Sequence, residues 1–497
     1  MTFPPAIDIE LGQLAPSITL LVTVFATLLF ALWQKDSRQT AAIALVGVAT
    51  AFGFTLASFL ARTGSVSSFG MRFHADTSAL ALTFLILVGT ALAILVSYDQ
   101  LRRQDLAHPE YYPLMLLSAL GAVVMAAAGD LVTLVLGLEI MSLAIYVLSA
   151  WRTRSRVSEE AGMKYFLLGS FGSAILIYGA ALLYGASGSF VYGDIVTSLT
   201  AGVSFTDGVS FAAGGDGGGL LLASLGAVLV LAGLGFKAAL VPFHQWAPDV
   251  YTGAPTPVTT FMSVVIKVAA FAGILRLVAE VFPYLQPWLL TALAVIVAAT
   301  LVVGNVAALL QRRVKRMLAY SAVAHAGYVG LAVLAAGEQG MQAAIWYLSA
   351  YTLMNIGAFA VLSLVVDAGD EGDSFEHFAG LGAKRPWLAL AMTFFLLSLG
   401  GIPPLAGFAG KLMVFEAAIS QGYLWLAVLG ILTSVVALLY YFRVIGAMYF
   451  GKSVHPPQAF TSGATTLAIA IALAGTVALG LLPGWWHDLV AVGSLAR

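Results

Sequence analysis

The chain has 497 residues, 60% of them hydrophobic and only 9% charged, whereas soluble globular proteins carry roughly 25% charged residues. A chain this apolar cannot cover its surface in water, so its solvent has to be a bilayer. A net charge of -1 with no Lys/Arg-rich arm speaks against nucleic acid, and zero cysteines exclude disulfides and a cysteine-ligated iron–sulfur cluster.

The sequence opens on MTFPPAIDIELGQLAPS, acidic and without Lys or Arg before the first apolar run. A cleavable signal peptide needs a positive n-region, so the first helix is expected to be retained. Apolar segments then recur at 14–33, 40–60, 77–98, 112–128, 131–150, 163–185, 219–240, 258–279, 287–310, 316–336, 341–366, 387–418, 423–449 and 463–484. Each is near the length that crosses a hydrocarbon core, which predicts an all-α polytopic membrane protein of about fourteen transmembrane helices. The segments around Pro242 and Pro403-Pro404 are interrupted. Between the sixth and seventh segments, 187–218 is rich in Gly and Ser and free of Lys and Arg. Its GGDGGG run at 214–219 has no strand before it and no Lys after it, so a flexible external loop is expected rather than a nucleotide loop.

Charge sorting tests the count. Fifteen Lys and Arg, from Lys35 and Arg38 through Arg152, Arg313, Lys315 and Arg316 to Lys452, fall on one set of loops. Arg62, Arg72 and Arg497 fall on the other. Cytoplasmic loops of membrane proteins carry the excess of positive charge, so both termini are expected outside.

Five cations remain within or at the edge of spans: Lys164, Lys237, Lys267, Arg276 and Lys411. Glu139 joins them in LVTLVLGLEIMSLAIYVLSA. A charge at the bilayer centre costs about 2.5–3.5 kcal/mol on insertion scales, so such residues mark function or structural pairing. Lysine gives up its proton readily when desolvated and arginine does not. Arg276, with Glu280 one turn on, therefore reads as a structural pair near the outer end. Lys164 lies near the inner end of its helix, where it could snorkel or pair with Glu139. His325, in KRMLAYSAVAHAGYVG, falls between Lys267 and Lys411 in the sequence, with Tyr320 and Ser321 just before it. Its near-neutral pKa as a residue type suits proton transfer.

Two helices are expected to break. In GLGFKAALVPFHQWAPDVYTGAPTPV, Pro242 follows Lys237; in LSLGGIPPLAGFAGKLMVF, Lys411 follows Pro403 and Pro404. Proline removes a backbone donor and clashes with the preceding turn. One lysine before its break and one after is the order an inverted repeat would produce. GFAGKL at 407–412 is not a phosphate loop, because Leu405 and Leu412 occupy the positions that need Gly and Ser or Thr. His244 and Asp249 read as a re-entrant loop on the cytoplasmic side, either where protons enter or simply as hydrogen bonds that fix the loop. No His/Cys/Asp cluster has metal-ligand spacing.

Together PFHQWAPDVYTGAPTPVT, QRRVKRMLAYSAVAHAGY and GIPPLAGFAGKL resemble the antiporter-like membrane subunits of respiratory complex I, over roughly residues 75–450. The resemblance implies a fourteen-helix core with two inverted five-helix repeats, here 111–285 and 286–450, flanked by N-terminal helices (1–110) and a C-terminal helix and tail (451–497). It implies a proton relay through Glu139, Lys164, Lys237, Lys267 and Lys411, to which the residues themselves add His325. It further implies neighbouring M-type and K-type membrane subunits, with NADH, FMN, iron–sulfur clusters and quinone in partner subunits and none in this chain. EEAGMKYFLLGSFGSAILIYG and FEHFAGLGAKRPWLALAMTFFLLSLGGIPP look most like the N-type, whereas the M-type has a glutamate at the last break and the L-type continues into a lateral helix. The competing readings are a subunit of a sodium/proton antiporter or membrane-bound hydrogenase, and a scaffold that does not pump.

Overall fold

In the computed structural model, residues 10–33, 36–61, 67–201, 218–366, 373–452 and 460–490 are described. Helices α1 (Leu11–Trp33), α2 (Ser37–Ala61), α3 (Thr77–Arg103), α4 (Tyr111–Ala126), α5 (Leu131–Ser149) and α6 (Arg156–Ser187) are followed by α7 (Tyr192–Ala201) and α8 (Gly218–Ala238). Next come α9 (Trp246–Gly253), α10 (Thr256–Phe261), a π turn (Met262–Ile266), α11 (Lys267–Glu280), α12 (Trp288–Leu309), α13 (Val314–Leu334) and α14 (Gly337–Val365). The short α15 (Phe375–Phe378) and α16 (Leu381–Lys384) lead to α17 (Pro386–Gly400), α18 (Ala406–Ser420), α19 (Leu424–Phe450), α20 (Gly463–Leu481) and α21 (Pro483–Val490).

Every apolar segment picked out from the sequence is mostly helical, with 387–418 split at residues 401–405. Among the described residues, twelve helices are long and apolar enough to cross a membrane, with α10, the π turn and α11 acting as one span; α4 and α17 are shorter apolar helices. Two details differ from expectation. The segment 187–218 is not wholly loop, since Tyr192–Ala201 is helical; GGDGGG lies mostly outside the described residues, as do Lys35, Arg62 and Arg497. A two-residue antiparallel ladder, Ser67–Ser68 with Phe73–His74, interrupts the all-α pattern before α3.

Local chemistry sets the helix ends. Asp76 and Asp130 cap α3 and α5, their carboxylates accepting from Ala79 N (2.7 Å) and Thr133 N (2.6 Å), which satisfies donors a helix start leaves open. Both proline breaks form. Helix α8 stops at Ala238, with Ala239 at φ 60° and a cis Val241–Pro242 bond beyond it. Helix α17 stops at Gly400, and Gly401 at φ 86° precedes the cis Pro403–Pro404 bond.

The hydrophobic stripes decide which helices lie inside. The α10–α11 span is fully covered by its neighbours, and α13 and α14 are 94% covered, against 28% for α1 and α2. The central spans α11, α13 and α14 therefore see protein on all sides, and they carry Lys267, His325 and a run of tyrosines.

Candidate functional site: a chain of buried ionisable groups

Lys237, at the end of α8, is 2% exposed. Its Nζ donates to Tyr146 Oη at 2.9 Å and lies over the rings of Tyr146 (4.6 Å) and Tyr165 (4.9 Å). Aromatic faces attract a desolvated cation, so this cradle lowers the cost of keeping Lys237 charged in the bilayer. Tyr146 lies seven residues after Glu139 on α5, two turns along the same face. Glu139 is half-buried, and its Oε1 is buried without a hydrogen-bond partner among the described residues.

A second group lies in the centre. Lys267, the first residue after the π turn, donates to Ala322 O on α13, one turn before His325. Its Nζ is 5.8 Å from the Tyr351 ring, whose centroid lies 5.2 Å from that of His325. His325 hydrogen-bonds Tyr347 Oη through Nδ1 (2.8 Å) and Tyr441 Oη through Nε2 (3.3 Å), and Tyr441 in turn meets Ser321 Oγ at 2.5 Å. On its other side His325 contacts Tyr328 at 5.7 Å, and Lys411 Nζ stands 4.7 Å over the Tyr328 ring. Lys411 reaches back across the break in front of α18, donating to Gly400 O (2.9 Å) and Ser434 Oγ (2.6 Å). Gly401 is needed there twice over. Its φ of 86° disfavours a side chain, and a Cβ would lie 2.9 Å from Lys411 Cδ.

Beyond Lys237 the contacts are aromatic and run as far as Tyr251. Tyr165 contacts Tyr146 (4.9 Å) and stacks on Trp246 (4.3 Å), which meets Tyr251 at 6.0 Å.

Lys164 is placed differently from the expectation that it could pair with Glu139. It is 41% exposed and bonds Glu160 (2.6 Å) and Asp249 (3.0 Å). The reason is local: Glu160 is one turn away on α6, and the break before α9 brings Asp249 alongside. Arg316 holds the other Asp249 oxygen at 2.9 Å. Burial opposes ionisation of Asp249, but Lys164 and Arg316 together hold its carboxyl below the usual range. His244 stands apart from this network with Nδ1 unpartnered; burial lowers its pKa against a backbone contact at Pro242, so it is neutral near pH 7. Arg276 does form the structural pair, with Glu280 (2.9 Å) and also with the buried Asp76 (2.8 Å).

Residue-type reasoning missed two things. Lys315, counted among the loop cations, is fully buried in α13 and donates to Ala254 O at 2.8 Å. The tyrosines that space the ionisable groups were also missed; Tyr347 and Tyr351, four apart within one apolar span, were the available signal.

A multi-span bundle in which two broken helices flank a buried line of lysines and one histidine defines the class of antiporter-like membrane subunits. The family model described as NADH:quinone oxidoreductase/Mrp antiporter, transmembrane, matches residues 128–437. NADH-quinone oxidoreductase subunit N of Trichlorobacter lovleyi is 42% identical over 96% of this chain and 95% of its own length. A chain of respiratory complex I from Thermus thermophilus, solved with bound aureothin, superposes with a TM-score of 0.80 at 36% identity, over 96% of this chain and all of that one. A chain of the Mrp complex from Dietzia sp. gives a TM-score of 0.81 at 21% identity over 97% of each, a likeness of fold alone. The chain belongs to the NADH-quinone oxidoreductase subunit N family.

Proposed function

We propose that this chain is the proton-translocating N-type membrane subunit of a bacterial NADH:quinone oxidoreductase. Electrons pass from NADH to quinone in partner subunits that hold the flavin and the iron–sulfur clusters. This chain lies beside other membrane subunits in the inner membrane, with its basic loops in the cytoplasm and both termini outside. The observation that carries the reading is the succession Lys267, Tyr351, His325, Tyr328, Lys411, each within 6 Å of the next, the first four on the best-covered helices and Lys411 on α18. A stack of ionisable and hydroxyl-bearing groups at this depth is costly unless it is used.

In this reading, quinone reduction changes the electrostatics at Glu139. A charge moved or neutralised in low dielectric alters a neighbouring lysine's hold on its proton. Lys237 responds first and the central group follows, with bound water completing the hops. Residues 111–285 and 286–450 act as the two inverted repeats, one around each break. Lys164, Asp249 and His244 sit at the end where protons enter.

The test is NADH-driven proton pumping in membranes carrying Lys237→Ala, with assembly checked on a native gel. Pumping is expected to fall about 10-fold or more, the scale of losing a positioned proton carrier. An assembled complex that pumps normally would make Lys237 a packing residue.

A further inference from the structure

Between the basic face and Lys267 runs a stripe of hydroxyls that the groups above do not use. Thr256, Thr260 and Ser263 recur at spacings of four and three residues, which aligns them on one helix face below Lys267. All three are fully buried. Thr260 donates to Thr256 O (2.8 Å), and Ser263 donates to Thr260 O (3.0 Å). At the foot of the stripe, Arg152 donates to Gly253 O (3.0 Å) and Lys315 to Ala254 O. At its head, Asn355 of α14 donates through Nδ2 to Ser263 Oγ at 2.7 Å. One turn earlier, Tyr351 donates to the Ser263 carbonyl at 3.1 Å.

Asn355 has no exposed surface, and among the described residues its Oδ1 accepts from no protein group. Gln100, on the α3 helix that packs along α10, is likewise fully buried, with neither amide atom partnered among the described residues. Buried polar atoms without protein partners are where internal water is held. The π turn sits at this point, and such turns recur at functional sites.

We infer that Asn355 is a positioning residue that, with Ser263, holds a water-bearing proton feed from the basic face to Lys267. The serine hydroxyl both accepts and donates. The free amide oxygen orients a water towards the lysine, and that water passes a proton to the neutral amine and is reprotonated from below. The inference rests on Lys267 being a proton carrier.

The experiment uses the whole complex in proteoliposomes, with pumping followed against pH on the basic-face side and in H2O against D2O. Asn355→Leu is expected to lower the maximal rate about 10-fold, to bring on the decline with rising pH earlier, and to enlarge the solvent isotope effect. Asn355→Ser, which keeps an oxygen, is expected to recover most of the rate, and Ser263→Ala to move all three readouts in the same direction as Asn355→Leu. Wild-type pH and isotope behaviour in assembled Asn355→Leu or Ser263→Ala overturns the feed. If Asn355→Leu does not assemble, Ser263→Ala, which deletes one oxygen, decides alone. Lys267→Ala run in parallel separates the two layers. If it pumps normally, the relay reading fails; if it is inactive while Ser263→Ala behaves as wild type, the relay stands and the feed is lost.

Discussion

Tyr146 gives Lys237 its only direct hydrogen bond among the described residues, and the opposing helix leaves room for that hydroxyl because residue 169 is glycine. A Cβ on Gly169 would come within 2.0 Å of Tyr146 Oη, a distance real Cβ atoms do not adopt. Gly169→Ala is therefore expected to push the tyrosine off Lys237, and Tyr146→Phe to remove the bond without moving the ring. A hydrogen bond to a charged group contributes about 1.5–3 kcal/mol, so both variants should pump roughly 10-fold more slowly while assembling normally. Equal pumping by Tyr146→Phe and wild type would show that the hydroxyl is packing. At this scale the sequence was legible where a charge stood out in an apolar run: Lys237, Lys267, His325 and Lys411 are all buried as their insertion cost required. The tyrosines and Asn355 were not legible, because a neutral polar residue in a membrane helix costs too little to stand out. Only the packing reveals that Tyr328 and Tyr351 lie between charged groups.

Helices α6, α9 and α13 meet at one carboxylate. Asp249 accepts from Lys164 and Arg316, so a residue on the re-entrant segment ties the first half of the bundle to the second. Because partners lower its pKa in the folded state, its stabilisation is complete above the unfolded value of about 3.9 and fades as pH falls through the folded one. The tie is thus constant from pH 5 to 9 and opens only in stronger acid. All three side chains are about a third exposed, so each pair is worth no more than about 1 kcal/mol after solvent screening. Asp249→Asn is expected to lower the thermal midpoint of the solubilised complex by a few degrees at pH 7 and to leave the difference much smaller below pH 4. A midpoint difference that stays constant down to pH 3 would mean that the ion pairs are not its source. The proline signals located both breaks, because proline acts on its own helix. They could not foretell that the first break would carry Asp249 to Lys164 and so draw Lys164 away from Glu139, since that pairing depends on where a separate helix packs.

Across the whole molecule, the strongest sequence signal is the sorting of charge between two sets of loops, and the orientation proposed from it is what gives proton movement a direction. Arg154 and Lys384 are exposed on the basic face. Glu338 and Gln421 are exposed on the opposite one, which Ser420 and Gln339 tie together by a 3.0 Å hydrogen bond. The chain contains no cysteine, so a single introduced thiol reports its own location without background. Arg154→Cys and Lys384→Cys are expected to react with a membrane-impermeant maleimide in inside-out vesicles and to be protected in spheroplasts. Glu338→Cys and Gln421→Cys are expected to show the reverse. Inversion of all four would place the basic loops outside, against the tendency of positive loops to stay in the cytoplasm, and would turn the feed below Lys267 into an exit. A split within either pair would mean that one apolar helix does not cross. The shorter helices α4 and α17 are the ones to suspect, because α17 reaches the far face only with α18 beyond the break. The expected pattern requires that broken pair to count as a single crossing, which would carry the break beside Lys411 into the interior of that crossing, where the proposed relay through Lys267 and His325 needs it.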